Sequence, residues 1–213
     1  MSENGKVLAS VSGRKENDHS RVLAGFCDEL LQKVGKKPEA INGVAISIGP
    51  GSYTGLRIGL SFAKGLCYSL SKPLISISTL QLMAASRIAD SPIQEKQLVV
   101  PMIDARRNEV YTAVYDHHLN EIEAPKALIV EVLPFGDLLQ KGNSLVFIGN
   151  GAHKVSPYIK ECMDSIISDV TIHASYMSEI AYKAFRAQSF SDLAYAEPFY
   201  LKEFYSPSQK RNQ

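Results

Sequence analysis

The chain has 213 residues, of which 45% are hydrophobic and 21% charged, and its formal net charge is +1. That supplies a core for one large domain or two small ones, in the composition of an ordinary soluble globular protein. A charge so near zero excludes a strong field aimed at free nucleic acid or an anionic membrane, and no apolar run is long enough to span a bilayer. Cys27, Cys67 and Cys162 are odd in number and lack metal-ligand spacing, so they read as reduced packing residues of a cytosolic protein. The N-terminus is polar, without a signal-peptide core.

Ser2-Glu3-Asn4-Gly5 is a hairpin-turn signal, and residues 6–12 alternate like a strand leaving it. A turn at residue 4 leaves its first strand almost no chain, so either the turn is frayed or sequence that should precede Met1 is absent. Leu23, Phe26, Cys27, Leu30, Leu31 and Val34 recur at helical spacing across residues 18–34, stopped by Gly35. Residues 44–48 predict a buried strand, residues 49–59 a glycine-rich turn, and residues 56–70 an amphipathic helix. A strand over 73–77 and a helix over 79–89 follow, and two strand–helix steps in succession indicate an α/β layout. Residues 90–97 are polar, contain proline and read as a linker between two lobes, 1–96 and 97–213. Beyond it the pattern predicts strands at 98–103, 109–115, 126–132 and 145–148, the last ending in Gly149-Asn150-Gly151. Helices are predicted over 134–140, 156–167 and 175–188, and residues 198–201 are extended before a polar tail.

The stretch Gly49-Pro50-Gly51-Ser52-Tyr53-Thr54-Gly55-Leu56-Arg57-Ile58-Gly59 follows a strand and opens a helix, the setting in which backbone N–H groups hold an anion. Ser52 or Thr54 can cap that helix. The spacing matches no phosphate or nucleophile motif: a P-loop needs Lys after its last glycine, a nucleophile elbow needs glycine two residues either side of the serine, and the dinucleotide fingerprint is missed by one residue. Asp104, Arg106 and Arg107 form the densest charge group, either a carboxylate held by guanidinium groups at a binding surface or a solvated turn. His117 and His118, on or just after a strand, are expected to point to opposite faces. His19, His153 and His173 lack a second ligand at useful spacing, and no Ser/His/Asp or Cys/His set assembles.

The glycine-rich stretch, followed by Ala63-Lys64-Gly65-Leu66, resembles the signature of the TsaB (YeaZ) family. Pro101-Met102-Ile103-Asp104-Ala105-Arg106-Arg107-Asn108-Glu109-Val110-Tyr111 is similar to that family's second marker. His19-Ser20 and Pro198-Phe199-Tyr200-Leu201-Lys202 match in order and spacing, so the resemblance covers nearly the whole chain. It implies a two-lobed α/β fold of the actin/Hsp70/sugar-kinase (ASKHA) type with mixed sheets. Family members usually begin with a strand like Ile-Leu-x-Ile-Asp-Thr-Ser, so the first lobe here is expected to lack its N-terminal strand.

The resemblance further implies a cytoplasmic, non-catalytic partner of the TsaD threonylcarbamoyl transferase, working with the ATPase TsaE. Together they make threonylcarbamoyladenosine beside the anticodon of tRNAs reading codons that begin with A. No catalytic, cofactor or metal residue is expected in this chain. ATP and metal belong to the partner proteins, tRNA is reached only through the complex, and a homodimer is expected in isolation. TsaD carries a His-x-x-x-His metal pair where this chain has Thr79 and Met83, neither a suitable ligand. The partner-facing surface is expected on the first two helices, at Leu23, Phe26, Leu30, Gly59, Ala63 and Leu66, where small residues suit a helix bundle. The alternative is a glycoprotease-like metal- or nucleotide-dependent enzyme with its site at the glycine-rich loop.

Overall fold

The computed structural model describes residues 1–13, 19–159, 165–168 and 170–201. The opening turn forms as its sequence predicts, between β1 (Ser2–Glu3) and β2 (Lys6–Val7), antiparallel and exposed. The strand predicted over 6–12 pairs for only two of those residues. Helix α1 (His19–Val34) stops at Gly35, where Lys36 donates its N–H to the Leu31 carbonyl.

Strand β3 (Val44–Gly49) lies parallel to β4 (Leu74–Ser78), in register Val44↔Leu74, and the crossover is helix α2 (Tyr53–Leu70). Both strands carry apolar residues on both faces, the pattern of a parallel sheet covered on both sides, with Ser47, Ser76 and Ser78 as their polar positions. On one face Leu60, Ala63 and Cys67 of α2 pack on Leu74, Val44, Ile46 and Ile48. On the other, Ile75 and Ile77 meet Leu82 of α3 (Thr79–Asp90), Met177, and Ile180, Ala181, Ala184 and Phe185 of a late helix, residues Ser178–Arg186.

The second sheet has five strands. At its centre is β5 (Gln97–Asp104). On one side β6 (Glu109–Tyr115) and β7 (Glu121–Ile129) continue antiparallel. After α4 (Gly136–Gln140), β8 (Ser144–Ile148) pairs parallel to β5 on the other side. Beyond a short α5 (Ser156–Ile159), β9 (Ser165–Ser168) pairs parallel to β8. The late helix is α6. Alternation along β5 sends Leu98, Val100 and Met102 into one core with Val110, Val114, Leu145 and Phe147, and Val99 into another with Ala113, Tyr115, Val146 and Ile148. That second core is closed by Leu80, Met83 and Ala84 of α3. Helix α3 therefore serves both sheets, with Leu82 toward the first and Leu80, Met83 and Ala84 toward the second. Each leucine, isoleucine, valine, methionine or phenylalanine side chain fully removed from water stabilises the fold by roughly 1.5–3 kcal/mol.

Three expectations are corrected here. The strand predicted over 126–132 begins at Glu121, because its register is set by pairing Glu121 with Tyr115 across a tight turn. That turn is built on Asp116, whose carboxylate accepts N–H bonds from His118 and Asn120, both 2.8 Å. It also breaks strand alternation, so the rings of His117 and His118 lie 3.8 Å apart instead of on opposite faces. Of the helix predicted over 156–167, the described residues show Ser156–Ile159 as helix, and residues 160–164 lie outside the described residues. Residues Ser165–Ser168 form a strand, because the open edge of β8 offers backbone partners that a Ser-Ile-Ile-Ser run accepts.

Candidate functional site

Two turns carry the features singled out in the sequence. At the first, β3 ends in Gly49 with φ +118. A Cβ there would lie 2.9 Å from both Leu56 Cδ1 and the Phe199 carbonyl oxygen, so a side chain is excluded by backbone angle and by space. The close carbonyl belongs to the C-terminal stretch, whose Phe199 N–H donates to the Ile48 carbonyl at 2.8 Å. Of the two possible caps it is Ser52 that acts: its Oγ accepts from Gly55 N–H at 3.3 Å, and α2 starts at Tyr53, three residues before its predicted start. Arg57, the loop's one cation, stacks 4.1 Å over the Tyr53 ring and donates from Nε to the Tyr200 hydroxyl at 3.1 Å. Tyr53 and Tyr200 stack with centroids 5.5 Å apart. The loop is thus strapped by aromatic side chains and its guanidinium is committed to them. Pro50, Gly51 and Thr54 lie in this loop, Thr54 exposed.

At the second turn the structure shows a partner that neither open reading named. Neither guanidinium holds Asp104. Its carboxylate Oδ1 accepts from Lys154 Nζ and from the Arg106 backbone N–H, each at 2.6 Å. Lys154 is 10% exposed and also donates to the Glu109 carbonyl at 2.9 Å. The Lys154 bond first, then the Arg106 N–H, holds the Asp104 carboxyl below the usual aspartate range. Underneath, the Asp104 N–H donates to Asn150 Oδ1 at 3.0 Å. Gly149, at φ +92, packs so closely that a Cβ would fall inside Met83 Cε and 2.6 Å from the Met102 carbonyl oxygen. Sequence reasoning missed Lys154 and Asn150, which lie some fifty residues away. The only signal for them was the Gly149-Asn150-Gly151 turn closing the strand beside β5.

The candidate interface residues divide. Leu23, Phe26, Leu30 and Leu66 are half-buried. Ala63 is 2% exposed within the core beneath α2, and a Cβ on Gly59 would rest 3.4 Å from Ile46 Cδ1. Those two face the chain's own sheet, which corrects their placement on an outward surface. The outward face of α2 carries Ser61, Gly65 and Tyr68, the last 81% exposed, and nothing lies within 4 Å of a Cβ at Gly65.

His173 makes serine contacts that were not anticipated in the sequence. Ser12 Oγ lies 2.8 Å from His173 Nε2. The Ser175 backbone N–H points at His173 Nδ1 at 3.2 Å, and the Ser175 Oγ lies 2.7 Å from the same nitrogen. Among the described residues no group of three His, Cys, Asp or Glu side chains has the proximity to hold a metal ion.

Residues 7–208 match the family model described as TsaD, tRNA N6-adenosine threonylcarbamoyltransferase. The "tRNA threonylcarbamoyladenosine biosynthesis protein TsaB" of Bacillus subtilis (strain 168) is 27% identical over 201 residues, covering 92% of this chain and 85% of that one. The chain belongs to this family, on its TsaB (YeaZ) branch. The TsaB protein of Escherichia coli (strain K12) is 29% identical over 191 residues, 87% of this chain and 81% of that one. A Clostridium perfringens tRNA N6-adenosine threonylcarbamoyltransferase is 33% identical over 99 residues, 46% of this chain but 27% of its own length. The fold is that of YeaZ from Pseudomonas aeruginosa, at TM-score 0.72 and 24% identity over 86% of this chain and 85% of that one. A second Pseudomonas aeruginosa structure, of a protein with similarity to peptidase YEAZ, gives 0.74 at 23% identity, covering 86% and 84%.

Thr79 and Met83, the two positions weighed above as metal ligands, both have partners within the fold. Thr79 shares a 2.7 Å hydroxyl bond with Ser47 Oγ, and Met83 is 1% exposed in the core between α3 and the second sheet. A buried thioether packed on Gly149 has no open position for an ion.

Proposed function

We propose that this chain is a non-catalytic scaffold in tRNA threonylcarbamoyladenosine biosynthesis, pairing with a TsaD-type transferase and working with a TsaE-type ATPase. The observation that carries this reading is the filling of the Thr79 and Met83 positions by a hydroxyl pair and a core thioether. A family member built that way contributes shape and contacts, and the metal and ATP belong to its partners. In the assembly the pairing surface is the outward side of α1 and α2, with Leu23, Phe26, Leu30 and Leu66 at its margin and Ser61, Gly65 and Tyr68 at its exposed centre. Alone, the same surface pairs two copies of this chain. tRNA is reached within the complex, in the cytoplasm.

The test is reconstitution of tRNA modification from purified TsaD-type, TsaE-type and this protein, with each omitted in turn. Modification that needs all three is expected. Full modification without this chain would overturn the scaffold role. A glycoprotease-like reading has the Ser12–His173 pair as its structural foothold, but Nδ1 of that imidazole meets Ser175 where a catalytic triad has an orienting carboxylate. Peptide cleavage by the isolated chain, abolished by Ser12→Ala, would restore that alternative.

A further inference from the structure

Two successive arginines hold left-handed backbone at the tip of the β5–β6 hairpin, φ +70 at Arg106 and +49 at Arg107. Glycine and asparagine take that conformation with less steric conflict, so forming the turn does not select arginine. Nor do the side chains return a structural contact. Both are exposed, and among the described residues neither guanidinium enters an ion pair or hydrogen bond. The nearby carboxylate is spent on Lys154, which leaves the outer end of the hairpin positive although Glu109 stands at its base.

The tip is also rigid. Ala105 N–H donates to the Glu109 carbonyl at 3.0 Å and Glu109 N–H to the Arg106 carbonyl at 3.1 Å, closing the turn. Val130 N–H, just past the end of β7, anchors the Asn108 carbonyl at 2.7 Å. Asp104, Asn150 and Lys154 brace it from below. A strained backbone held this firmly, presenting two unpaired planar forks to solvent, is a preorganised site for phosphate oxygens, which guanidinium groups grip in pairs.

We propose that the Arg106–Arg107 tip is a phosphate-backbone contact for RNA, used when this chain is assembled with its transferase partner. The proposal rests on the tRNA-modification role above. A protein partner is the less fitting occupant, because arginines that anchor protein interfaces sit in apolar surroundings that exclude water, whereas Arg106, Arg107 and Asn108 are all exposed. Since the whole chain is close to neutral, this contact adds to those of other subunits and does not bind RNA tightly by itself.

The experiment measures the affinity of the reconstituted complex for an unmodified tRNA transcript across a salt series, with the wild-type chain and with Arg106→Gln/Arg107→Gln. Affinity is expected to fall about tenfold at low salt, and the slope of log K against log salt to lose roughly 1.5, for two released phosphate contacts. Arg106→Gly/Arg107→Gly separates structure from function: it should raise Tm by relieving the turn while weakening tRNA binding as much as the glutamine pair. Unchanged affinity and slope in both variants overturn the proposal. So does a loss traced by size-exclusion to departure of the protein partner, which would make the tip a protein contact. If modification needs this chain but ignores both arginines, the RNA contact fails and the scaffold role stands; if it proceeds without the chain, the scaffold role itself fails.

Discussion

Gly149 and Gly65 show how differently one methyl group acts at two points of the same chain. At Gly149 an added Cβ meets Met83 and the Met102 carbonyl on a left-handed backbone, so Gly149→Ala should destabilise by roughly 2–5 kcal/mol in urea unfolding, as overpacking and αL strain add. At Gly65 the space is open and the backbone helical, and Gly65→Ala should stabilise by about 0.5–1 kcal/mol. Asp104 gives a pH signature. Its carboxyl is lowered from the ordinary 3.8 by Lys154 and the Arg106 N–H, so its contribution is present in full above that value and is lost as pH falls through the lower folded one. Asp104→Asn should therefore destabilise at neutral pH, and the difference from wild type should shrink as acid unfolding is followed below pH 4. The sequence showed that Asp104 belonged to a charged turn. It did not show the Lys154 partner, because a cation fifty residues away has no spacing relation to it.

At the scale of elements, α2 has two faces that periodicity alone did not tell apart. Ala63 and Gly65 are both small, and the sequence placed Ala63 and not Gly65 at the interface, yet Ala63 lies against Leu74 and Cys67 while Gly65 faces outward. Ala63→Phe should lower stability by about 1–3 kcal/mol through core overpacking. Gly65→Phe should leave Tm near wild type and abolish co-elution with the TsaD-type partner. If Gly65→Phe pairs normally, the partner surface lies elsewhere. A helix with apolar and small residues on several sides needs its sheet in place before inside and outside are defined, which is why the sequence overreached here. For the 165–168 segment the deciding factor was also outside the element. Its local pattern tolerates a helix, but the unpaired edge of β8 supplies a ladder of hydrogen bonds that a helix does not use.

Across the whole molecule, the chain returns on itself. Helix α6 and residues 191–199 come late in the sequence but finish the early sheet: Ser191 N–H donates to the Leu74 carbonyl at 2.9 Å, Leu193 and Ala196 close the core under α2, and Lys64 donates to the carbonyls of Ala194 and Ala196. Truncation after Gln188 should expose Leu74 and Cys67, raise aggregation and make the Cys67 thiol, now fully buried, reactive to a thiol reagent in the native state. Retained Tm and an unreactive Cys67 would show that the strap is dispensable.

By itself the sequence determined the α/β class, most strand positions, the two signature turns and the family, since these rest on local periodicity, turn chemistry and contiguous motifs. Only the tertiary structure decided which face of α2 is core, that α3 serves both sheets, that Lys154 and not an arginine holds Asp104, and that the C-terminal stretch straps the glycine-rich loop. Each of those depends on side chains brought together from distant parts of the chain, and their proximity is a property of packing that no local pattern encodes.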